Sequence, residues 1–109
     1  THGEGFGLPV REAMSTGSPV IAANWGGLES AMNQSFNYSL NFTFTKCKIN
    51  TSEDLGYYVD PSYDHLKEIL LDIYENPEQL VEKGLSCANW IRKNETYEIA
   101  AEKLVKEML

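Results

Sequence analysis

Residues 3–23 confine this chain to a narrow set of folds, because they write a loop, a helix, a turn and a strand in unbroken order. Gly3, Gly5 and Gly7 put three glycines into five residues. Without Cβ atoms the backbone there can take positive φ and bring its N–H groups close to a ligand. Pro9 suits the first turn of a helix, where its missing N–H costs nothing, and Val10, Ala13 and Met14 supply an apolar face at helical spacing. A helix therefore starts near Leu8. Ser15-Thr16-Gly17-Ser18 reads as its stop, with glycine where a left-handed cap sits. Pro19-Val20-Ile21-Ala22-Ala23 then has the form of a buried parallel strand, a short apolar run between turn signals. The expected fold class is α/β, with ligand-binding loops at the carboxyl edge of a parallel sheet.

The junction between loop and helix is an anion site in the making. The first N–H groups of a helix lack intrahelical partners and carry the positive end of the dipole, an arrangement suited to phosphate. Two carboxylates bracket it, Glu4 in the loop and Glu12 one turn into the helix, with seven residues between them. Carboxylates beside a bound pyrophosphate repel it unless they point aside and accept hydrogen bonds from hydroxyls on either flank. A nucleotide-sugar meets that requirement, with a ribose diol at one end of the diphosphate and a hexose at the other.

The segment from Thr1-His2-Gly3-Glu4-Gly5-Phe6-Gly7-Leu8-Pro9 through Glu12-Ala13-Met14 to Gly17-Ser18-Pro19-Val20-Ile21-Ala22 resembles, almost position by position, the E-x7-E region of retaining family-4 glycosyltransferases of the GT-B fold. The resemblance implies that Glu4 lies at the donor sugar, that Glu12 holds the nucleotide ribose, and that backbone amides of Gly5, Phe6, Gly7 and Leu8 contact diphosphate and sugar. It implies a Rossmann-like C-terminal domain, incomplete at its N-terminus, belonging to a larger two-domain enzyme whose N-terminal domain binds the acceptor. Basic residues that neutralise the diphosphate then come from upstream, and residues 1–109 alone are expected to be inactive. Asn24-Trp25-Gly26-Gly27 follows the apolar run and borders the ligand crevice by the general rule for open α/β sheets, so Gly26 and Gly27 join the donor-binding candidates. Here the chain departs from the family: a glutamate is expected at position 30, which is Ser30, and the nearby carboxylate, Glu29, falls one residue early. Arg11 reads as a solvated arginine without a role. His2 reads as packing or capping the turn, with a base or donor role as the alternative, and Trp25 as a packing aromatic rather than a base-stacking one.

Composition narrows the partners. Sixteen acidic against nine basic residues give a net charge of −7 with no basic run, which argues against nucleic acid. No apolar stretch approaches the roughly twenty residues of a spanning helix, although membrane attachment through other parts of a parent protein stays open. Cys47 and Cys87 lie far apart without metal-ligand or redox spacing, which suits structural thiols in a cytoplasmic setting. No metal or other cofactor is expected. Five Asn-x-Ser/Thr sequons, at Asn33, Asn37, Asn41, Asn50 and Asn94, are read as chance matches in an Asn/Ser/Thr-rich segment.

The rest of the chain reads as scaffold. Phe36, Tyr38, Leu40, Phe42 and Phe44 alternate with polar residues, predicting a long half-buried strand, and Lys46 to Asn50 continue β-like on the other parity. An inserted β-hairpin over residues 36–50 is the expectation. Residues 55–61 resemble the short strand and turn that precede the family's last helices. Ser62 caps a helix carrying Leu66, Ile69, Leu70, Ile73 and Tyr74, with His65 on its surface. Asn76-Pro77 opens a second helix, Asn94-Glu95-Thr96 breaks it, and Tyr97 to Leu109 form a third, whose Ile99, Leu104 and Met108 are candidates for contact with another domain.

The reading that results is a retaining hexosyltransferase donor domain. Its rivals are a non-catalytic binding module derived from such a domain, using the 36–50 hairpin as contact surface, and a dinucleotide-binding oxidoreductase. The oxidoreductase is weakened because Gly5-x-Gly7 lacks the third glycine and the ribose acid about twenty residues on.

Overall fold

The computed structural model describes residues 2–47 and 55–109. Helix α1, Leu8–Ser15, leads through a turn to strand β1, Ile21–Ala23. A single 3-10 turn, Gly26–Leu28, runs directly into the short helix α2, Glu29–Met32. Strand β2, Tyr38–Leu40, returns parallel to β1 in the register Ile21↔Tyr38, Ala22↔Ser39, Ala23↔Leu40. Strands β3, Phe42–Lys46, and β4, Tyr57–Pro61, pair antiparallel from Phe42↔Pro61 to Lys46↔Tyr57. Helices α3, Tyr63–Glu75, α4, Gln79–Asn94, and α5, Tyr97–Met108, complete the chain. The described strands thus form two two-stranded sheets in a mixed helix-and-strand molecule.

Among the described residues the expected 36–50 hairpin is not formed. The alternating run divides at Asn41, whose backbone turns to the start of α3: its N–H donates to His65 Nδ1 (2.8 Å) and its carbonyl accepts from Ser62 N–H (2.7 Å). With both polar groups of Asn41 engaged there, the residues before it join β1 and those after it take Tyr57–Pro61 as partner. Residues 48–50 of the expected second arm lie outside the described residues. His65, expected at the surface, is half-buried because it accepts this bond.

The core gathers α1, α2 and α4. Met14, Ala31, Cys87 and Ile91 are buried together, with Val10, Val20, Phe36 and Trp90 packed around them. A buried Asn37 ties α2 and α4 to the segment leading into β1: its Oδ1 accepts from Val20 N–H (2.9 Å) and from the Cys87 thiol (3.4 Å), while its Nδ2 donates to the Ala31 carbonyl (3.1 Å). Tyr38 N–H then donates to Val20 O (2.9 Å) and opens the parallel ladder. A buried amide with its partners satisfied in this way fixes one register, since any slip would strand polar atoms in the core. The Asn37 sequon is correspondingly inaccessible.

Ser62 caps α3 as expected, its side chain accepting from His65 N–H, and Thr96 caps α5 through Ile99 N–H. Asn76 does not open α4; it closes α3, and α4 begins at Gln79 after a turn at 77–78. No residue of α3 or α5 is fully buried, and Leu104, Val105 and Met108 are exposed. The molecule is correspondingly flat, 49 × 44 × 16 Å. No helix among the described residues is long and apolar enough to cross a membrane.

Candidate functional site

The glycine loop lies in a seam between the end of β1 and strand β4. Its two sides are stitched by backbone: Gly27 N–H donates to the Glu4 carbonyl (3.0 Å) and Val59 N–H to the His2 carbonyl (3.3 Å). Gly27 can come this close only because it lacks a side chain; a Cβ there would stand 2.3 Å from the Gly5 carbonyl carbon and oxygen and 2.5 Å from Phe6 N. Gly26 touches the same loop with φ +60, its hypothetical Cβ 3.2 Å from Glu4 O. The candidates Gly5, Gly26 and Gly27 are therefore brought together, and the two later glycines hold the loop.

Gly7 precedes α1 in the left-handed conformation, φ 79 and ψ 48, and is buried against Leu28. Its N–H donates to Glu4 Oε1 at 3.1 Å. A carboxylate oxygen of the chain itself thus sits on one of the amides expected to face an anion, leaving Oε2 of Glu4 for another donor. Phe6 and Leu8 are exposed beside it, and Glu12 is exposed on α1, its carbonyl accepting from Ser15 Oγ (2.7 Å) while its carboxylate has no hydrogen bond or ion pair among the described residues. Leu8 and Pro9 occupy the first turn as expected, where helix geometry leaves N–H groups without intrahelical acceptors.

Arg11 departs most from expectation. It is 6% exposed, not solvated, and every nitrogen of its guanidinium is engaged. Nε donates to Glu95 Oε2 (2.5 Å), Nη1 to the carbonyls of Phe6 and Gly27 (3.2 Å to the latter), and Nη2 to Ser30 Oγ (2.7 Å). The Phe6 ring covers it, with Cζ 3.9 Å from the ring centroid. Ser30, the position where the resemblance expects a glutamate, is thus a partner of Arg11, and the neutralising carboxylate comes instead from Glu95 at the end of α4. The signal for this was present in the helix period: Arg11 is three residues before Met14 and shares its inward face.

The space around the loop is uneven. Between it and the strands, the seam lined by Gly3, Glu4, Ala23, Trp25, Leu28 and Val59 has no room for a water molecule. On the far side of His2 opens a cleft of about 400 Å³, lined by His2, Leu40, Asp60, Pro61, Ser62 and Tyr63 among others, at the carboxyl end of β2. Asp60 and Tyr63 were not singled out from sequence. The His2 ring stacks on Tyr58 with centroids 4.4 Å apart, so it packs as expected. Trp25 also packs, edge-on to Phe44 at 5.1 Å and tilted to Phe42 at 6.4 Å.

Away from the loop, burial pushes the Cys87 thiol up to about 11, with the Lys83 ammonium pulling the other way. Burial, then the Asp72 carboxylate, raises the Tyr38 phenol, which donates to Gln79 Oε1 (2.7 Å). Among the described residues no group of three His, Cys, Asp or Glu is placed to hold a metal ion. Comparison of the chain with protein-family models, curated proteins and solved structures finds no match.

Proposed function

We propose that this chain is the donor-binding part of a retaining glycosyltransferase, a Rossmann-like portion of a GT-B enzyme that binds a nucleoside-diphosphate sugar and transfers the sugar to an acceptor. The observation that carries the reading is the Gly7 N–H at the mouth of α1 donating to a carboxylate oxygen at 3.1 Å, since an N–H that donates to one anionic oxygen can donate to a phosphate oxygen in its place. Two further features support it. The parallel pair β1–β2 puts its carboxyl ends beside the loop and the open cleft, the position where open α/β sheets bind ligands. Glu12 is exposed one turn along, its carboxylate without a partner among the described residues.

In this reading the oriented N–H groups and dipole of α1 stabilise the departing diphosphate, and catalysis comes from placing the anomeric carbon. Glu4 orients the sugar: as the diphosphate takes the Gly7 N–H, the carboxylate it displaces accepts sugar hydroxyls, so one side chain couples the loop to the substrate. Glu12 accepts from the ribose hydroxyls. Arg11 is buried and paired, so charge neutralisation of the diphosphate falls to the remainder of the parent enzyme, together with the acceptor site.

Saturation-transfer NMR of the full-length protein with UDP-, GDP- and ADP-sugars, compared with NAD, tests the assignment. One nucleotide-sugar should receive saturation and NAD should not. Glu12→Ala should weaken that binding by about 1–3 kcal/mol, the loss expected when hydroxyl bonds to a charged group are removed. Glu4→Gln should abolish most of the transfer while donor still binds. Transfer at wild-type rate in Glu4→Gln, or saturation of NAD alone, would refute the reading.

A further inference from the structure

Arg11 is a buried cation that the proposed mechanism leaves without a task, yet its guanidinium makes four hydrogen bonds. It joins the glycine loop through Phe6 O, the middle of the Gly26–Leu28 turn through Gly27 O, α2 through Ser30 Oγ, and the α4–α5 junction through Glu95. In a trans peptide the C=O and the following N–H point in opposite directions. Drawing the Phe6 carbonyl inward to Nη1 therefore turns the Gly7 N–H outward, which is where Glu4 Oε1 meets it. The same nitrogen draws Gly27 O inward and holds the turn against Gly5, where no Cβ could fit.

We infer that Arg11 is the positioning residue of the anion cradle: its guanidinium aims the Gly7 amide at the phosphate-bearing ligand without touching that ligand. This rests on the proposed donor site for the identity of the ligand, a nucleoside diphosphate. The planar fork is what the role demands, because donors must leave it in three directions at once, to Glu95, to the two carbonyls and to Ser30. An ammonium offers a point charge and cannot span those acceptors. Glu95 cancels the charge, so what reaches the ligand is orientation and not net attraction.

The test pairs two measurements on Arg11→Lys. In the isotopically labelled chain, the carbonyl carbons of Phe6 and Gly27 should shift and the Gly7 amide should exchange about tenfold faster, while the Cys87 and Ala88 amides of α4 keep the protection of a folded core. In the full-length protein, affinity for whichever of UDP, GDP and ADP the wild type binds should fall about ten- to a hundredfold, the effect of a misplaced site group. A variant that does not fold is replaced by a measurement on the wild type. With arginine Nε labelled, adding that nucleotide should move the Arg11 Nε–H resonance. If lysine leaves affinity within about twofold while the wild type binds, or if the Nε–H resonance does not respond, Arg11 is only a fold contact and the inference fails with the donor site intact. If the wild type binds none of the three nucleotides, the donor reading itself fails and takes this role with it.

Discussion

Gly27→Ala separates two accounts of the glycine pair after β1. By local propensity alone the change should help. Gly27 lies in a 3-10 turn without positive φ, and replacing such a glycine by alanine stabilises by about 0.4–1 kcal/mol through the unfolded chain. The structure predicts the opposite sign. The new Cβ would stand 2.3 Å from the Gly5 carbonyl carbon and oxygen, more than about 1 Å inside the 3.5–4.0 Å at which carbon contacts become favourable. Both neighbours are backbone, so no side chain can swing away. The loop must lift, which costs about 1–3 kcal/mol as overpacking and endangers the Gly27 N–H bond to Glu4 O (3.0 Å), a further 0.5–1.5 kcal/mol or so. The net expectation is a destabilisation of about 0.5–4 kcal/mol, read as a lower urea midpoint by far-UV circular dichroism at unchanged slope. Gly26 supplies the contrast. Its φ of +60 makes alanine there cost about 1–2 kcal/mol through conformation, and asparagine, which tolerates that region, should recover part of the loss. Asparagine at 27 should recover none. A neutral or stabilising Gly27→Ala, or rescue of position 27 by asparagine, would mean that residues 5 and 27 do not meet as described.

Gly84→Ala tests the packing of α1 on α4 in the same way: helix propensity favours alanine by about 1 kcal/mol, but its Cβ would stand 2.0 Å from Gly17 O. Net destabilisation of at least about 1 kcal/mol is expected by denaturant titration, and a gain in stability would refute the close approach. The Cys87 thiol makes stability fall at high pH. An unfolded cysteine ionises near 9.0 and the buried one near about 11, so its contribution is complete below about 9, declines above that, and is gone once the pH passes about 11, a loss of at most about 3 kcal/mol. The difference in unfolding free energy between wild type and Cys87→Ala should shrink over that window, and a flat difference would contradict a buried neutral thiol.

The first half of the chain was legible because its signals are local. Pro9, the apolar positions of α1, Gly17 with φ +85 and the run before Ala23 each specify a conformation within a few residues, as does the cap at Ser62. The 36–50 segment was misread for a reason alternation cannot reveal. Period two says that residues are extended and half-buried, not which strand they pair with, and the choice is made by groups distant in sequence. Asn41 surrenders its N–H and carbonyl to His65 and Ser62, and a ladder cannot continue through a residue whose polar groups face a helix end.

The same distinction explains what the site kept hidden. Glu4, Gly7 and the mouth of α1 were visible because a loop–helix junction is built within ten residues, but Arg11 was weighed as an isolated cation, and isolated cations belong in water. Its burial becomes favourable only when acceptors from residues 6, 27, 30 and 95 converge on it, since a desolvated charge needs both a counter-charge and filled hydrogen-bonding positions. The substitution of Ser30 for an expected carboxylate was read as a loss on the ligand side. In the structure it is half of an exchange on the protein side: a neutral oxygen at 30 leaves Arg11 to pair with Glu95, and a second acid at that distance would compete for the same guanidinium. Position 30 and position 95 are therefore coupled through Arg11 by packing beneath the loop.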